Sequence, residues 1–421
     1  MPDRYRIRIA IVGGGIAGAA LANSLVQIDH LEVHIFESAP QFSERGAAVG
    51  LSVNSQNALS RVLNTDAKSM LLGKAGGVPM NSTRIMMGAG PSAGSLVFNL
   101  SGTYPGIVVH RASILRELLA PLPKHILHAN KKLATIRQDS DKIDLEFSDG
   151  MTEQFDAVIG ADGIFSTVRQ HVLEDAGKNH DATPAGFWDC RNLVPFNRAK
   201  KALGEQYFEL DRQYGWVGPG ALVMHDILEN RTMVQCVVSG VEIDPPPDRK
   251  RPLTRDYMLK ALEEWPETSV AKGMIDLMLD QPDPQGYSEW EHKSTPTYSR
   301  GSVCIMGDAA HAMTPWQGSG AGQAIEDAMI LGTLLKQVDS PSQIEAAFEA
   351  YSIVRRPRCQ KIIDSSRGTG GMLCGQNVET GLDPDKLKAA LGPRWAFIYS
   401  LDMEQHKKEA LDKFHDILAG D

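Results

Sequence analysis

A chain of 421 residues with 42% hydrophobic and 23% charged residues is large enough for two packed units or one composite domain with a sizeable core. Its formal net charge of −9, without a long Lys/Arg run, argues against a nucleic-acid partner, and no stretch approaches the roughly 20 apolar residues of a membrane span. Five cysteines (Cys190, Cys236, Cys304, Cys359, Cys374) without a Cys-x-x-Cys pair, and no His-Glu-x-x-His cluster, point to free thiols in a reducing compartment and to no metal.

The first element is a strand over Ile7–Val12, rich in β-branched residues and running straight into glycines. Gly13-Gly14-Gly15-Ile16-Ala17-Gly18 follows, then a helix fits Ile16 to Val26 and a second strand fits Leu31 to Phe36, ending in Glu37. This is strand, GxGxxG, helix, strand, acid. Gly13 permits the tight turn, and Gly15 lets backbone approach a pyrophosphate on the helix N-terminus. Gly18 lets helix and strand pack closely, and Glu37 can accept from ribose hydroxyls. The motif predicts a dinucleotide and does not by itself separate FAD from NAD.

Strand-like segments follow at Ser82–Met87 and Leu96–Leu100, then a helix over Ile114–Leu119 preceded by Arg111. Asp156-Ala157-Val158-Ile159-Gly160-Ala161-Asp162-Gly163 reads as a buried strand with a turn after it, followed by Ser166 and Arg169. Further strands are predicted at Gln206–Leu210, Gly215–Val217, Leu222–His225 and Met233–Val238. Arg249-Lys250-Arg251 reads as a solvated loop, with a helix near Tyr257–Glu264 beyond it. Val303 to His311 carries Gly307-Asp308 at a strand end. Pro315 and Gly318-Ser319-Gly320-Ala321-Gly322 come next, opening a helix that runs to about Leu335. The tail, Pro384–Leu418, is helical in pattern.

These three blocks, in this order and spacing, resemble the flavoprotein aromatic hydroxylases, the group A monooxygenases that include p-hydroxybenzoate hydroxylase and salicylate hydroxylase. The resemblance covers roughly residues 5–400, and Gly392-Pro393-Arg394-Trp395 with Asp402 and Met403 is similar to the tail of fungal salicylate-hydroxylase-like members. It implies an α/β fold: a Rossmann-like FAD-binding domain with an inserted mixed β-sheet substrate domain and a helical C-terminal tail. The expected division is 1–78, 105–182 and 296–370 for FAD, 79–104 and 183–295 for substrate, and 371–421 for the tail. By the same resemblance Asp308 binds the ribityl chain, while Asp162 and Gly163 lie near the pyrophosphate and help with the nicotinamide nucleotide. Arg111 contacts FAD, and so does Gly50, in Gly46-Ala47-Ala48-Val49-Gly50. Pro315, Gly320 and Ala321 lie at the flavin, where the helix would aim its positive end at the pyrimidine ring.

The implied reaction is hydroxylation of a small phenol by a C4a-hydroperoxyflavin, using NADH or NADPH and O2 in the cytoplasm. Salicylate or a related hydroxybenzoate, with decarboxylation an option, is the first substrate class; a polyketide phenol hydroxylated with loss of aromaticity is the alternative. Flavin-dependent halogenation is disfavoured because none of the six tryptophans forms Trp-x-Trp. Arg191 matches an arginine shared by many relatives and would hold a phenolate or carboxylate, or else clamp the domains. His225 stands where many relatives carry tyrosine and would take the substrate proton, or else be a sheet histidine. Trp316 would wall the pocket, and Arg84 would be a carboxylate partner or an exposed strand residue.

Overall fold

Strand Ile7–Val12 is almost wholly buried, and β-branched runs buried on both faces are what a parallel sheet requires. In the computed structural model, which describes residues 6–43, 48–80, 82–100, 106–139, 142–174, 179–266 and 269–420, it lies inside a six-stranded sheet. It pairs in parallel with Leu31–Phe36 on one side and with Ala157–Gly160 on the other. Val303–Ile305 adds in parallel beyond Ala157–Gly160, and Leu127–His128 beyond Leu31–Phe36. Antiparallel Ser299–Arg300 closes one edge. Because the five longer-range strands run the same way, the turns carrying Gly13, Glu37, Asp162 and Asp308 all emerge at one end of the sheet, the end where open α/β sheets bind ligands. Helices Ile16–Leu25 and Gly320–Leu335 pack together over this sheet.

A second sheet of eight strands runs in the order Lys250–Pro252, Gln285–Glu291, Thr183–Pro195, Met233–Val241, Ala221–Leu228, Gln213–Gly218, Thr83–Met87, Leu96–Leu100. It is antiparallel except where Gln213–Gly218 meets Thr83–Met87, so the sheet is mixed. Its two faces have different fates. Trp188, Cys190, Trp216, Val223, Ile227 and Val238 pack under the helices Phe196–Leu203, Arg255–Ala261 and Ser269–Met278. Residues of the opposite parity, including Arg191, Leu222, Met224 and Val237, face the first sheet.

Two elements differ from the sequence reading. Gln206–Leu210 is no strand: Gly204, at φ +115°, leads into a 3-10 turn over Glu205–Phe208 that buries Phe208. Arg249-Lys250-Arg251 is not wholly a loop: Lys250–Pro252 is an edge strand paired antiparallel with Gln285–Glu291. The tail is helical as expected, in Pro384–Leu391, Ala396–Tyr399 and Met403–Ala419, the first and last begun by Asp383 and Asp402, whose carboxylates accept from first-turn N–H groups. Among the described residues no helix is long and apolar enough to cross a membrane. Gly46 and Ala47 lie outside the described residues.

The longest helix, Ile344–Leu373, carries Arg355 into the interior. There it donates to Asp327 Oδ1 at 2.8 Å and to Glu326 Oε2 at 2.8 Å, all three side chains being fully buried. Removing one partner of a buried ionic cluster leaves uncompensated charge and costs about 3–5 kcal/mol. Arg355→Ala should therefore lower the midpoint of urea unfolding by that much stability; a midpoint within error of wild type would show that Arg358 and His311 suffice to neutralise the pair.

Candidate functional site

Where the strand ends of the first sheet face the second sheet, a cavity of about 1000 Å³ opens. Its far end is the glycine turn. Gly13 has φ +113°, and a Cβ there would lie 2.2 Å from Ala161 O; one on Gly18 would lie 2.0 Å from Gly13 O. These two glycines thus serve close backbone packing, and Gly13 and Gly15 line the cavity while Gly18 lies behind them. Glu37 Oε2 accepts from Gly14 N–H at 2.8 Å and Oε1 from Ala39 N–H at 2.7 Å, fixing the carboxylate at the cavity wall.

Asp162 and Gly163 line the middle. The Asp162 carboxylate is committed to its own chain: it accepts from the Ser166 hydroxyl and from Thr167 N–H at 2.7 Å, and burial pushes it above the usual carboxylate range. Arg169, buried, donates to Ala309 O at 3.0 Å and Ala310 O at 3.2 Å, and so clamps this turn to the one bearing Asp308. Asp308 faces the cavity, and its carboxylate has no hydrogen-bond partner among the described residues. Gly50, Arg111, Pro315, Gly320 and Ala321 line the same stretch. A Cβ on Gly50 or Gly163 would meet nothing within 4 Å, so both leave backbone open to a flat ligand. Helices Ile16–Leu25 and Gly320–Leu335 both begin at the cavity with no acidic residue in the first turn and no side-chain cap, so their positive ends face it. A carboxylate with open acceptors, exposed backbone and two uncapped helix starts are the donor and acceptor set an FAD would engage.

The near end is walled by Phe98, Leu100, Leu222, Met224, Val237, Leu373 and Trp395. Trp316 lines it too, its Nε1 donating to Glu289 Oε2 at 2.9 Å and its ring edge-on to Phe187 at 4.9 Å. Arg191 reaches the cavity with Nε and Nη2 donating to Asp189 Oδ2 at 2.8 and 2.6 Å.

Two expected residues are elsewhere. His225 points to the opposite face of the sheet, fully buried, stacked on Phe208 at 4.6 Å, with neither ring nitrogen bonded. Burial pulls it down to about 3, so it is neutral and unable to meet a substrate. Arg84 likewise faces away, with Nη1 3.4 Å from the Tyr214 hydroxyl, and is only half-buried. Two carboxylates escaped sequence reading. Glu289 is buried beneath Trp316, and burial with nearby Asp189 pushes it well above the usual carboxylate range. Asp226 lines the cavity itself. Its signal was present: in Leu222, Met224, Asp226 the alternate positions of one strand end in an acid.

A family model described as FAD binding domain matches residues 6–366. The chain is 33% identical over 428 residues to a 6-methylsalicylate 1-monooxygenase of Aspergillus terreus, covering 98% of this chain and 93% of that protein. It is 30% identical to a salicylate hydroxylase of Pseudomonas putida, covering 97% and 95%. A solved salicylate hydroxylase substrate complex superposes with a TM-score of 0.84 at 28% identity, covering 97% and 98% of the two chains.

The His225 correction has a thermodynamic signature. Its folded affinity for a proton lies far below the unfolded value near 6.5, so its contribution is complete above about pH 6.5 and is lost as pH falls towards about 3. His225→Phe should flatten the fall of unfolding free energy between about pH 6 and about pH 4 by up to ~1.4 kcal/mol per pH unit. Urea unfolding across that window measures it; an unchanged slope would place the ring in water.

Proposed function

The chain belongs to the FAD-binding-domain family of FAD-dependent monooxygenases, and on that premise we propose that it hydroxylates a small phenolic carboxylate, salicylate or a related hydroxybenzoate, at the expense of NAD(P)H and O2. The observation that carries this reading is the near end of the cavity: an apolar slot into which the second sheet sends Arg191. A bound FAD would supply the redox chemistry that links reduced nicotinamide and O2 to hydroxylation of the ring.

The protein's own residues divide the remaining work. Glu37 and Asp308 accept from cofactor hydroxyls, Arg111 adds a cation beside the cofactor, and the two helix N-termini favour its negative charge. Gly50, Gly163, Pro315, Gly320 and Ala321 present backbone and flat surface against which a ring system lies. Asp162 shapes this wall indirectly, by capping the turn that carries Gly163. Arg191, pre-aligned by Asp189, holds the substrate carboxylate; its position is fixed before binding, which lowers the ordering cost. Trp316, Phe98, Met224 and Trp395 exclude water from the reacting ring. The eight-stranded sheet is in this reading the substrate-covering unit, inserted between the segments of the FAD-binding unit. The 6-methylsalicylate and salicylate enzymes among the relatives support the substrate class.

The reading is tested by NAD(P)H oxidation against a panel of phenols with hydrogen peroxide measured alongside. Hydroxybenzoates should stimulate oxidation and yield hydroxylated product; a panel in which no phenolic carboxylate stimulates it refutes the substrate class. Arg191→Ala should raise KM on the order of tenfold to a hundredfold, the worth of a hydrogen bond to a charged group, without loss of FAD. An unchanged KM would leave Arg191 as a clamp for Asp189 only.

Asp308→Ala should weaken FAD binding by a similar factor while the apoprotein keeps its unfolding midpoint. Fluorescence titration of the apoprotein with FAD reads this directly, and equal affinities would remove Asp308 from the cofactor contact.

A further inference from the structure

With His225 turned away, the cavity still contains a group able to take a proton. Asp226 lies one residue further along strand Ala221–Leu228, on the face shared by Leu222 and Met224. It is 4% exposed. Its Oδ1 accepts from Gln213 Nε2 at 2.7 Å and its Oδ2 from Gln235 Nε2 at 3.0 Å. The amide of Gln235 cannot be turned round. Its Oε1 accepts at 2.9 Å from Ala48 N–H, which can only donate, so the NH2 group must face Asp226. Gln213 Oε1 is engaged in the same sense by the Thr83 hydroxyl at 2.9 Å. Two amides, that of Gln235 fixed in orientation by the Ala48 N–H, therefore donate to one carboxylate, and each oxygen keeps a lone pair for the cavity.

This is a costly arrangement to maintain for packing alone. A buried carboxylate without a contacting cation is expensive, and an amide or a leucine would fill the same strand position more cheaply. Arg191, on Thr183–Pro195, is near enough to stabilise the anion but bonds to Asp189 instead. The other charged groups around Asp226 are Asp211 and Arg212, which share a small adjoining cavity with it. Asp211 is held by Arg231, and Arg212 lies over the Tyr214 ring at 5.9 Å.

We propose that Asp226 is the proton acceptor for the substrate's phenolic hydroxyl. The O–H bond of the phenol breaks, its proton passes to an Asp226 oxygen, and the electron pair stays on the ring oxygen, enriching the ring for attack. The proton returns to water when product leaves. Arg191 would meanwhile hold the carboxylate, so the two groups grip the two polar ends of one small aromatic acid. Burial raises Asp226 above the ordinary carboxylate range, which brings its proton affinity closer to that of a working base near neutrality.

This assignment rests on the phenol-hydroxylating reading, and one experiment separates the two. FAD-loaded wild type and Asp226→Asn are each mixed with salicylate and with 4-hydroxybenzoate at one neutral pH. The ultraviolet difference spectrum of the bound phenol is recorded without reductant, and product per NAD(P)H is then measured in turnover. Wild type should show the phenolate band. Asp226→Asn should bind the neutral phenol, keep its FAD, lose about a hundredfold or more in hydroxylation rate and divert NAD(P)H to hydrogen peroxide. A phenolate band and wild-type coupling in Asp226→Asn overturn the role of Asp226 while leaving the hydroxylase intact; no response to any phenol in wild type overturns the substrate reading beneath it. If Asp226→Asn does not fold, Gln213→Met removes one donor and keeps the acid. It should move the acidic limb of the hydroxylation pH profile upward, and an unmoved limb overturns the proposal.

Discussion

Two consecutive carboxylates, Glu326 and Asp327, are carried into a dry interior, and the geometry of the cavity depends on how they are neutralised. Burial alone would push Asp327 up; His311 and Arg355 together hold it well below the usual carboxylate range. Its second oxygen accepts from Gly307 N–H at 2.9 Å and lies 2.6 Å from His311 Nε2. Both of those groups flank Asp308, so the turn is held from behind and Asp308 is left facing the cavity. Glu326 accepts from Asn54 at 2.7 Å and from Arg358, and Arg358 also donates to the carbonyls of Phe397 and Ile398 in the tail. One cluster thereby ties helix Val53–Leu63, helix Gly320–Leu335, the long helix and the C-terminal region. Its cost in desolvation is offset because nearly every oxygen is satisfied. His311, Asp327 and Cys359 are close enough together to ligate a metal. Arg355 already donates to Asp327, however, and lies 3.5 Å from Cys359 Sγ, so a guanidinium engages two of the three.

The cofactor half of the site was legible because its signals are local. A strand, a glycine turn and a helix start are contiguous, and Gly18 answers to a steric demand from Gly13 O five residues earlier, although Gly13 itself answers to the distant Ala161. The substrate half depends on which face of a strand a residue occupies, and that cannot be read from spacing between distant segments. Arg191 pairs with Val237, and Val237 pairs with Met224, so these three share a face. His225 pairs with Cys236 and goes to the other side. An offset of one residue exchanges a cavity-facing group for a core one. The same parity removed Arg84 and concealed Asp226. The missed turn at Glu205–Phe208 has another cause: its apolar residues fill a helix-covered core, and nothing short of tertiary packing distinguishes that from a strand.

The charges on the second sheet deserve to be weighed together. Asp189, Asp226 and Glu289 all bear on Arg191, and burial pushes Asp226 and Glu289 upward. Arg191 is thus held charged among three carboxyl groups, and Asp189, which it bonds directly, fixes its guanidinium at the cavity. Glu289 accepts from the Trp316 indole at 2.9 Å and so positions the ring at the cavity wall.

Strand Ile7–Val12 needs Ala157–Gly160 beside it, and that strand needs Val303–Ile305. The neighbours are drawn from the beginning, the second quarter and the last third of the chain, with the whole second sheet lying between the latter two. On the ribosome the first strands are therefore complete long before their sheet is. At roughly 5–20 residues per second, the wait of the first strand for the last partner is on the order of tens of seconds. Until then the sheet edge left first by Ile7–Val12 and later by Ala157–Gly160 lacks its parallel neighbour. A sheet assembled from such distant segments folds slowly and exposes such edges, which makes the unfinished chain more prone to edge pairing with its neighbours than the finished molecule is.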